Sequence, residues 1–289
     1  MLLAARSLSA ALLVLAGCRA RPSTEARSFA PAAPDLLEAY HLDRPDTVLH
    51  LPEALREVSG LAWSPQGLVA IHDEQGDLYR FDGTSWRRSE RFAGRGDFEG
   101  LAFAGRDLYV LRSDGQLVTP HGEVRLPTPT GCDGEGLAFD GRGGRLLVAC
   151  KGTSPQTRAL YAWDLASQRL DPEPVLRITA NLGRTEGRLK RFLFINRIDR
   201  FRPSAVEVGP DGRLYVLSSE VQALAVFNRE GQLEAAAGLD ARALPQPEGL
   251  TFGPDGTLYI SSEASKRGQA VVAVFKREGR GPTSTNDRR

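Results

Sequence analysis

The chain has no surplus of charge of either sign: among its 289 residues, 37 Lys and Arg stand against 36 Asp and Glu. That balance argues against a general nucleic-acid or membrane-surface binder, and no nucleic-acid partner is expected. Histidine is scarce and scattered, limited to His41, His50, His72 and His121, and no Gly-x-Ser-x-Gly elbow exists, so the common hydrolase constellations lack their parts. Cysteine is confined to Cys18, Cys132 and Cys150. Long hydrophobic runs are missing too, since the apolar stretch from Leu8 to Leu15 is too short to cross a bilayer comfortably.

That stretch follows Arg6 and ends on Leu15-Ala16-Gly17-Cys18, which resembles a bacterial lipobox. Residues 1–17 therefore read as a lipoprotein signal peptide, and Cys18 as the lipidated first residue of the mature chain. Two or more acyl chains there provide stable anchoring. An ordinary signal peptide with an incidental cysteine is the alternative. Arg19 after the cysteine, where Asp is absent, points to the cell envelope, lipid-anchored in the outer membrane and facing the periplasm. Residues 18–37 are Arg, Pro, Ser, Ala and Glu with few large apolar side chains, the composition of a flexible tether. Residues 281–289 form a polar tail, and residues 38–280 have the length of one large all-β domain.

Within that domain one pentapeptide recurs. Ser59-Gly60-Leu61-Ala62-Trp63, Glu99-Gly100-Leu101-Ala102-Phe103, Glu135-Gly136-Leu137-Ala138-Phe139 and Glu248-Gly249-Leu250-Thr251-Phe252 are clear copies, and Ser204-Ala205-Val206-Glu207-Val208 is a worn one. A Gly-, Pro- and Asp-rich turn follows each, then a second apolar strand such as Leu146-Leu147-Val148-Ala149 or Leu214-Tyr215-Val216-Leu217, as expected where sheets are sandwiched between neighbours. A repeat of about forty residues with up to four strands is a propeller blade. The expected fold is a five-bladed β-propeller, with six blades as the alternative. The last blade shows three strands, so Thr47 to Leu51 should close the ring beside Ala270 to Phe275. Residues 181–202 form a basic insertion, read as a loop or short helix. Trp63, Phe103, Phe139 and Phe252 are expected to serve packing and not to form a ligand cage.

Because the copies are in register, Ser59, Glu99, Glu135, Ser204 and Glu248 should surround one end of the tunnel. Glu57, Asp97 and Asp133, two residues earlier, should point the same way by strand alternation. The ends of the second strands bring Asp73, Glu74, Asp114, Lys151, Glu220 and Glu263 to the same rim. Only His72, among the histidines, lies near it. Clustered carboxylates repel one another unless a cation sits among them, and oxygen donors alone suit calcium. The expected calcium ligands are Glu99, Glu135 and Glu248, completed by Ser59, Ser204 or water; alternatively the glutamates only cap strands or bond to neighbouring blades. A protein or a small anionic ligand is the partner expected at the tunnel mouth. Cys132 and Cys150 fall nearly opposite each other in one hairpin, either as a disulfide or as two separately buried thiols.

Glu57-Val58-Ser59-Gly60-Leu61-Ala62-Trp63, Asp97-Phe98-Glu99-Gly100, Gly131-Cys132-Asp133-Gly134-Glu135-Gly136, Gln246-Pro247-Glu248-Gly249-Leu250 and Leu258-Tyr259-Ile260-Ser261-Ser262-Glu263 resemble, in order, the strands of the SdiA-regulated (YjiK-like) domain family, from about Thr47 to Phe275. The resemblance implies a five-bladed propeller distantly related to NHL repeats, with bound calcium on Glu99, Glu135 and Glu248 and no established reaction. A non-catalytic binding or scaffold protein is the leading expectation. Glu-Gly-Leu-Ala strands also resemble those of phytase-like esterase propellers, and lactonase propellers likewise hold calcium on the axis. A metal-dependent hydrolase, with His72 as general base, is therefore the rival.

Overall fold

The computed structural model describes residues 37, 39–179, 199–266 and 268–278. The expected signal peptide, Cys18, nearly all of the tether, residues 181–198 of the basic insertion and the tail lie outside the described residues. The described chain forms five antiparallel sheets, the blades of a β-propeller. Strand β1 (Thr47–His50) comes first, followed by blade 1: β2 (Val58–Ser64), β3 (Gly67–His72), β4 (Gln75–Phe81) and β5 (Trp86–Arg95). Blade 2 is β6 (Phe98–Ala104), β7 (Asp107–Arg112), β8 (Gln116–Thr119) and β9 (Gly122–Arg125). Blade 3 is β10 (Gly134–Asp140), β11 (Arg145–Lys151) and β12 (Arg158–Asp164), with an outer edge split into β13 (Arg169–Leu170) and β14 (Leu176–Arg177). Blade 4 is β15 (Ala205–Val208), β16 (Leu214–Ser218), β17 (Ala223–Phe227) and β18 (Leu233–Gly238); blade 5 contributes β19 (Pro247–Phe252), β20 (Leu258–Ser262) and β21 (Val271–Phe275).

The repeated turns dictate the hairpins. In Gly209-Pro210-Asp211-Gly212 the last residue has φ of 82°, a conformation glycine adopts without steric cost. Its N–H donates to the Gly209 carbonyl at 2.8 Å, and the Asp211 carboxylate accepts the Arg213 N–H at 3.0 Å. The second strands that follow are buried throughout, from Leu146 to Cys150 and from Leu214 to Leu217, because each sheet is covered on both faces. In blade 3 the outer edge breaks at Asp171-Pro172-Glu173-Pro174, where the prolines have no N–H to continue a ladder.

Ring closure follows the expected register. Thr47 lies opposite Val274 and His50 opposite Val271, and the Leu51 N–H donates to the Ala270 carbonyl at 2.9 Å. The N-terminal strand thus covers the edge that blade 5 otherwise leaves open. Arg158, at the start of β12, gathers the borders of the insertion: its Nε donates to the Ile178 carbonyl at 2.8 Å and its guanidinium also bonds the Asp199 carbonyl. Blades 3 and 4 are also joined by charge. Buried Asp140 accepts from Arg229 at 2.6 Å and from Arg145 at 3.1 Å.

The motif glycines set the spacing round the axis. A Cβ placed on Gly136 would stand 2.9 Å from the Ala205 Cα and the Val206 N of blade 4, and one on Gly100 would stand 2.7 Å from the Leu137 N of blade 3. These contacts are with backbone, which has no room to retreat. Gly136→Ala should therefore lower stability by about 1–3 kcal/mol through overpacking. Gly94→Ala, whose Cβ meets nothing within 4 Å, should leave stability unchanged. Urea melts of both variants check this; equal stability would discount close approach as the reason for the repeated glycine.

Candidate functional site

The inner strands run along the axis, and four of the five start with an irregularity. The ladder shifts between Val58 and Gly60, Phe98 and Gly100, Gly134 and Gly136, and Pro247 and Gly249. The extra residues are Ser59, Glu99, Glu135 and Glu248. A β-bulge bends its strand and re-aims the side chain it carries, and here the same repeat position is bulged in four blades. Ser59, Glu99 and Glu248 consequently line a void of about 10 Å³ in the tunnel, with the motif glycines around it. That is space for roughly one water molecule or ion. Glu135 is 5% exposed and its carboxylate lies 3.0 Å from the Lys151 Nζ, at the end of β11.

Glu57, Asp97 and Asp133 are exposed at the rim, with the Asp97 carboxyl in hydrogen-bond reach of Glu99 and Asp133 near Glu135. The ends of the second strands do return to this rim: the N–H groups of Asp73, Ser113 and Lys151 donate to the carbonyls of Glu57, Asp97 and Asp133 at 3.0, 3.0 and 2.8 Å. Three of the acids there have arginine partners. Asp114 lies 3.2 Å from Arg125, Glu220 lies 3.1 Å from Arg200 and 3.4 Å from Arg202, and Glu74 lies 3.6 Å from Arg95. Glu263 accepts from the Gln246 amide at 2.9 Å.

The axial glutamates are placed differently. Burial, with Glu135 and Asp97 nearby, pushes Glu99 up to about 9. Burial pushes Glu135 up to about 8 despite Lys151. Glu248 is raised by burial against the pull of Lys151 and of the Ser219 and Ser204 hydroxyls. Glu263 is pushed up to about 7 by burial and by Glu248. Burial works against the Lys151 ammonium, but Glu135, Glu248 and Glu99 together outweigh it and raise its pKa. Lys151 is thus the axial cation, a role that its place in the repeat did not disclose. Three carboxylates and one ammonium leave two negative charges when all are ionised.

The Ser59 hydroxyl donates to the Phe98 carbonyl, and the Ser204 hydroxyl donates to the Pro247 carbonyl at 2.8 Å while accepting the Ser219 N–H at 3.1 Å. Each hydroxyl thus holds the carbonyl just before the next blade's glutamate and steadies that bulge. Beside the axis, Glu57, His72 and Asp73 form the one group of three potential ligands, among the described residues, with donor atoms within 4.8 Å of one another. His72 Nδ1 lies 2.7 Å from Asp73, and Nε2 lies 3.7 Å from Glu57. The Asp73 hydrogen bond raises the His72 pKa against burial, helped by the charges of Asp73, Glu57 and Glu74.

At the opposite end of the inner strands, Trp63, Phe103, Phe139 and Phe252 are only partly buried and line a cavity of about 330 Å³. All four rings pack against the blade cores as expected, and because the strands end at the tunnel mouth their other side faces open space. Glu207 and Thr251 line the same cavity. Cys132 and Cys150 form a disulfide, with S–S 1.98 Å and Cα atoms 4.9 Å apart. It staples the approach to Glu135 onto the strand that ends in Lys151.

Fold and site define an all-β propeller with a buried carboxylate set at one tunnel mouth. The model of the SdiA-regulated family matches residues 128–266, from the approach to blade 3 into blade 5, so that part of the chain is similar to the SdiA-regulated family. The match covers less than the span from Thr47 to Phe275 over which the motifs resemble that family, although blades 1 and 2 follow the same register. No curated protein sequence matches the chain. Among solved structures, glutaminyl cyclase of Myxococcus xanthus is similar in fold, with 17% identity and a TM-score of 0.54 over 80% of this chain and 96% of that one. Virginiamycin B lyase of Staphylococcus aureus shares 14% identity at a TM-score of 0.42, over 81% of this chain and 74% of that one.

The raised carboxyl pKa values give stability a definite pH dependence. Between the unfolded value near 4.5 and the folded values of about 8 and 9, the folded protein holds protons that the unfolded chain has released. Stability must then fall as pH rises through that window. His72 acts in the same sense, its contribution being lost as pH rises through its raised value. In chelator, the protein should melt at a lower temperature at pH 9 than at pH 6, and Glu99→Gln should flatten the difference. A profile that rises between those pH values would contradict the burial of these carboxylates.

Proposed function

We propose that this protein is a lipid-anchored, calcium-containing binding propeller of the cell envelope. The observation that supports it is the set of bulge-turned glutamates: Glu99 and Glu248 line a void of about 10 Å³, and Glu135 stands near Glu248 with its carboxylate paired to Lys151. The donors are hard oxygens, the surplus of two negative charges matches a divalent cation, and the void admits an ion where an organic substrate would not fit. A calcium ion held by these three glutamates would tie the inner strands of blades 2, 3 and 5 together and relieve the repulsion that drives them toward protonation. Lys151 holds Glu135 from the strand side, while the Ser59 and Ser204 hydroxyls hold the bulges that present Glu99 and Glu248.

This reading makes the metal structural and the protein a binding or scaffold module. The anchor rests on Leu15-Ala16-Gly17-Cys18. A ligand that favours the folded state raises stability with its concentration. Melting in calcium should therefore exceed melting in chelator, and the gap should narrow in Glu248→Gln. Identical melts, with no metal retained after dialysis against calcium, would refute the site. Radiolabelled palmitate should label the wild-type chain in a bacterial host and fail to label Cys18→Ser; equal labelling would refute the anchor.

A further inference from the structure

The worn fourth copy of the repeat holds a residue with no counterpart. Where blades 1, 2 and 3 have Ala62, Ala102 and Ala138, and blade 5 has Thr251, blade 4 has Glu207. The inner strands carry this position close to the tunnel mouth, about 10 Å along the strand from the glutamate level at about 3.3 Å per residue. Around it, the next repeat position supplies Trp63, Phe103, Phe139 and Phe252, which line the 330 Å³ cavity together with Glu207 and Thr251.

Glu207 has hydrogen bonds and no counter-ion. One carboxylate oxygen accepts the Val208 N–H at 2.8 Å and the other accepts the Thr251 hydroxyl at 3.0 Å. Thr251 in turn accepts the Trp63 N–H at 3.1 Å. Among the described residues, no Lys, Arg or His lies within ion-pair distance of Glu207, in contrast to Asp77, Asp140 and Glu220. Burial pushes its pKa up to about 7. A carboxylate enclosed without a cation is costly, and alanine is what the repeat places there. Cations are attracted to aromatic rings and to carboxylates alike, and a cavity of this size is within the range of small-molecule sites.

We propose that the aromatic-lined mouth binds a small organic cation, an alkylammonium or quaternary ammonium compound, with its charge on Glu207 and its alkyl groups among Trp63, Phe103, Phe139 and Phe252. The site is at the opposite end of the tunnel from the axial glutamates and does not depend on calcium there. The rings exclude water from the alkyl groups, and Thr251 fixes the carboxylate so that little order is lost on binding.

Calorimetry on the full chain in dodecyl maltoside at pH 8.5, where Glu207 is ionised, tests the proposal with choline and its neutral isostere 3,3-dimethylbutan-1-ol. Choline should bind at least about tenfold more tightly than the alcohol, a margin of about 1.4 kcal/mol. Glu207→Gln should abolish that preference with melting unchanged. Glu207→Ala restores the residue of blades 1 to 3 and should melt no lower than the wild type while losing choline binding. Equal affinity for choline and the alcohol, no choline binding at millimolar concentration, or choline binding retained in either variant would overturn the proposal. The comparison of the two probes on the unaltered chain decides the matter even if a variant fails to fold.

Discussion

Inner strands of adjacent blades can meet round one axis only if their backbones nearly touch, and that contact governs the rest of this protein. A Cβ on Gly100 or Gly136 would collide with backbone of the following blade, so the second residue of the repeat must be very small. Blade 4 places Ala205 there and begins its inner strand without a bulge, so its repeat is worn at both levels that face the tunnel. The close contact leaves the tunnel nearly filled at the glutamate level and open at the aromatic level. One constraint thereby produces two mouths of different chemistry.

The two mouths handle charge in different ways. At the acidic rim, the outer carboxylates Glu74, Asp114 and Glu220 have arginine partners, while the inner ones share Lys151 and are driven toward their neutral forms by burial. Exposed pairs contribute little to stability, so the rim acids are a solvated surface. The inner set carries the chemical potential of the site, because a buried charge without full compensation favours whatever cation can reach it. At the other mouth a single carboxylate, Glu207, stands among aromatic rings. Proline and glycine turns, rather than charged loops, form the wall there.

Much of the fold was legible from sequence. Five copies of one pentapeptide, each with its turn and second strand, fix the number of blades, and the missing strand of the last blade fixes the role of Thr47 to His50. The cysteine pair was legible as a position and became a bond only when the register placed Gly134 opposite Cys150. The candidate site was legible in part. Glu99, Glu135 and Glu248 were found by their equivalence, but the bonds of Ser59 and Ser204 to the next blade's carbonyls were not legible, because they cross between blades. The bulges that carry these glutamates were not legible, because they arise from the register between two strands.

The sequence by itself determined what repeats determine: the blade, the closing strand and the level at which the glutamates stand, because local period and turn chemistry are written residue by residue. Only the tertiary structure decided where each side chain faces. A bulge is a mismatch between two strands, and neither strand announces it alone. The ion pair of Lys151 with Glu135 and the cavity shared by Glu207 and four aromatic rings depend on distances across the ring. Those distances are set by how closely five backbones pack, a property of the assembled propeller.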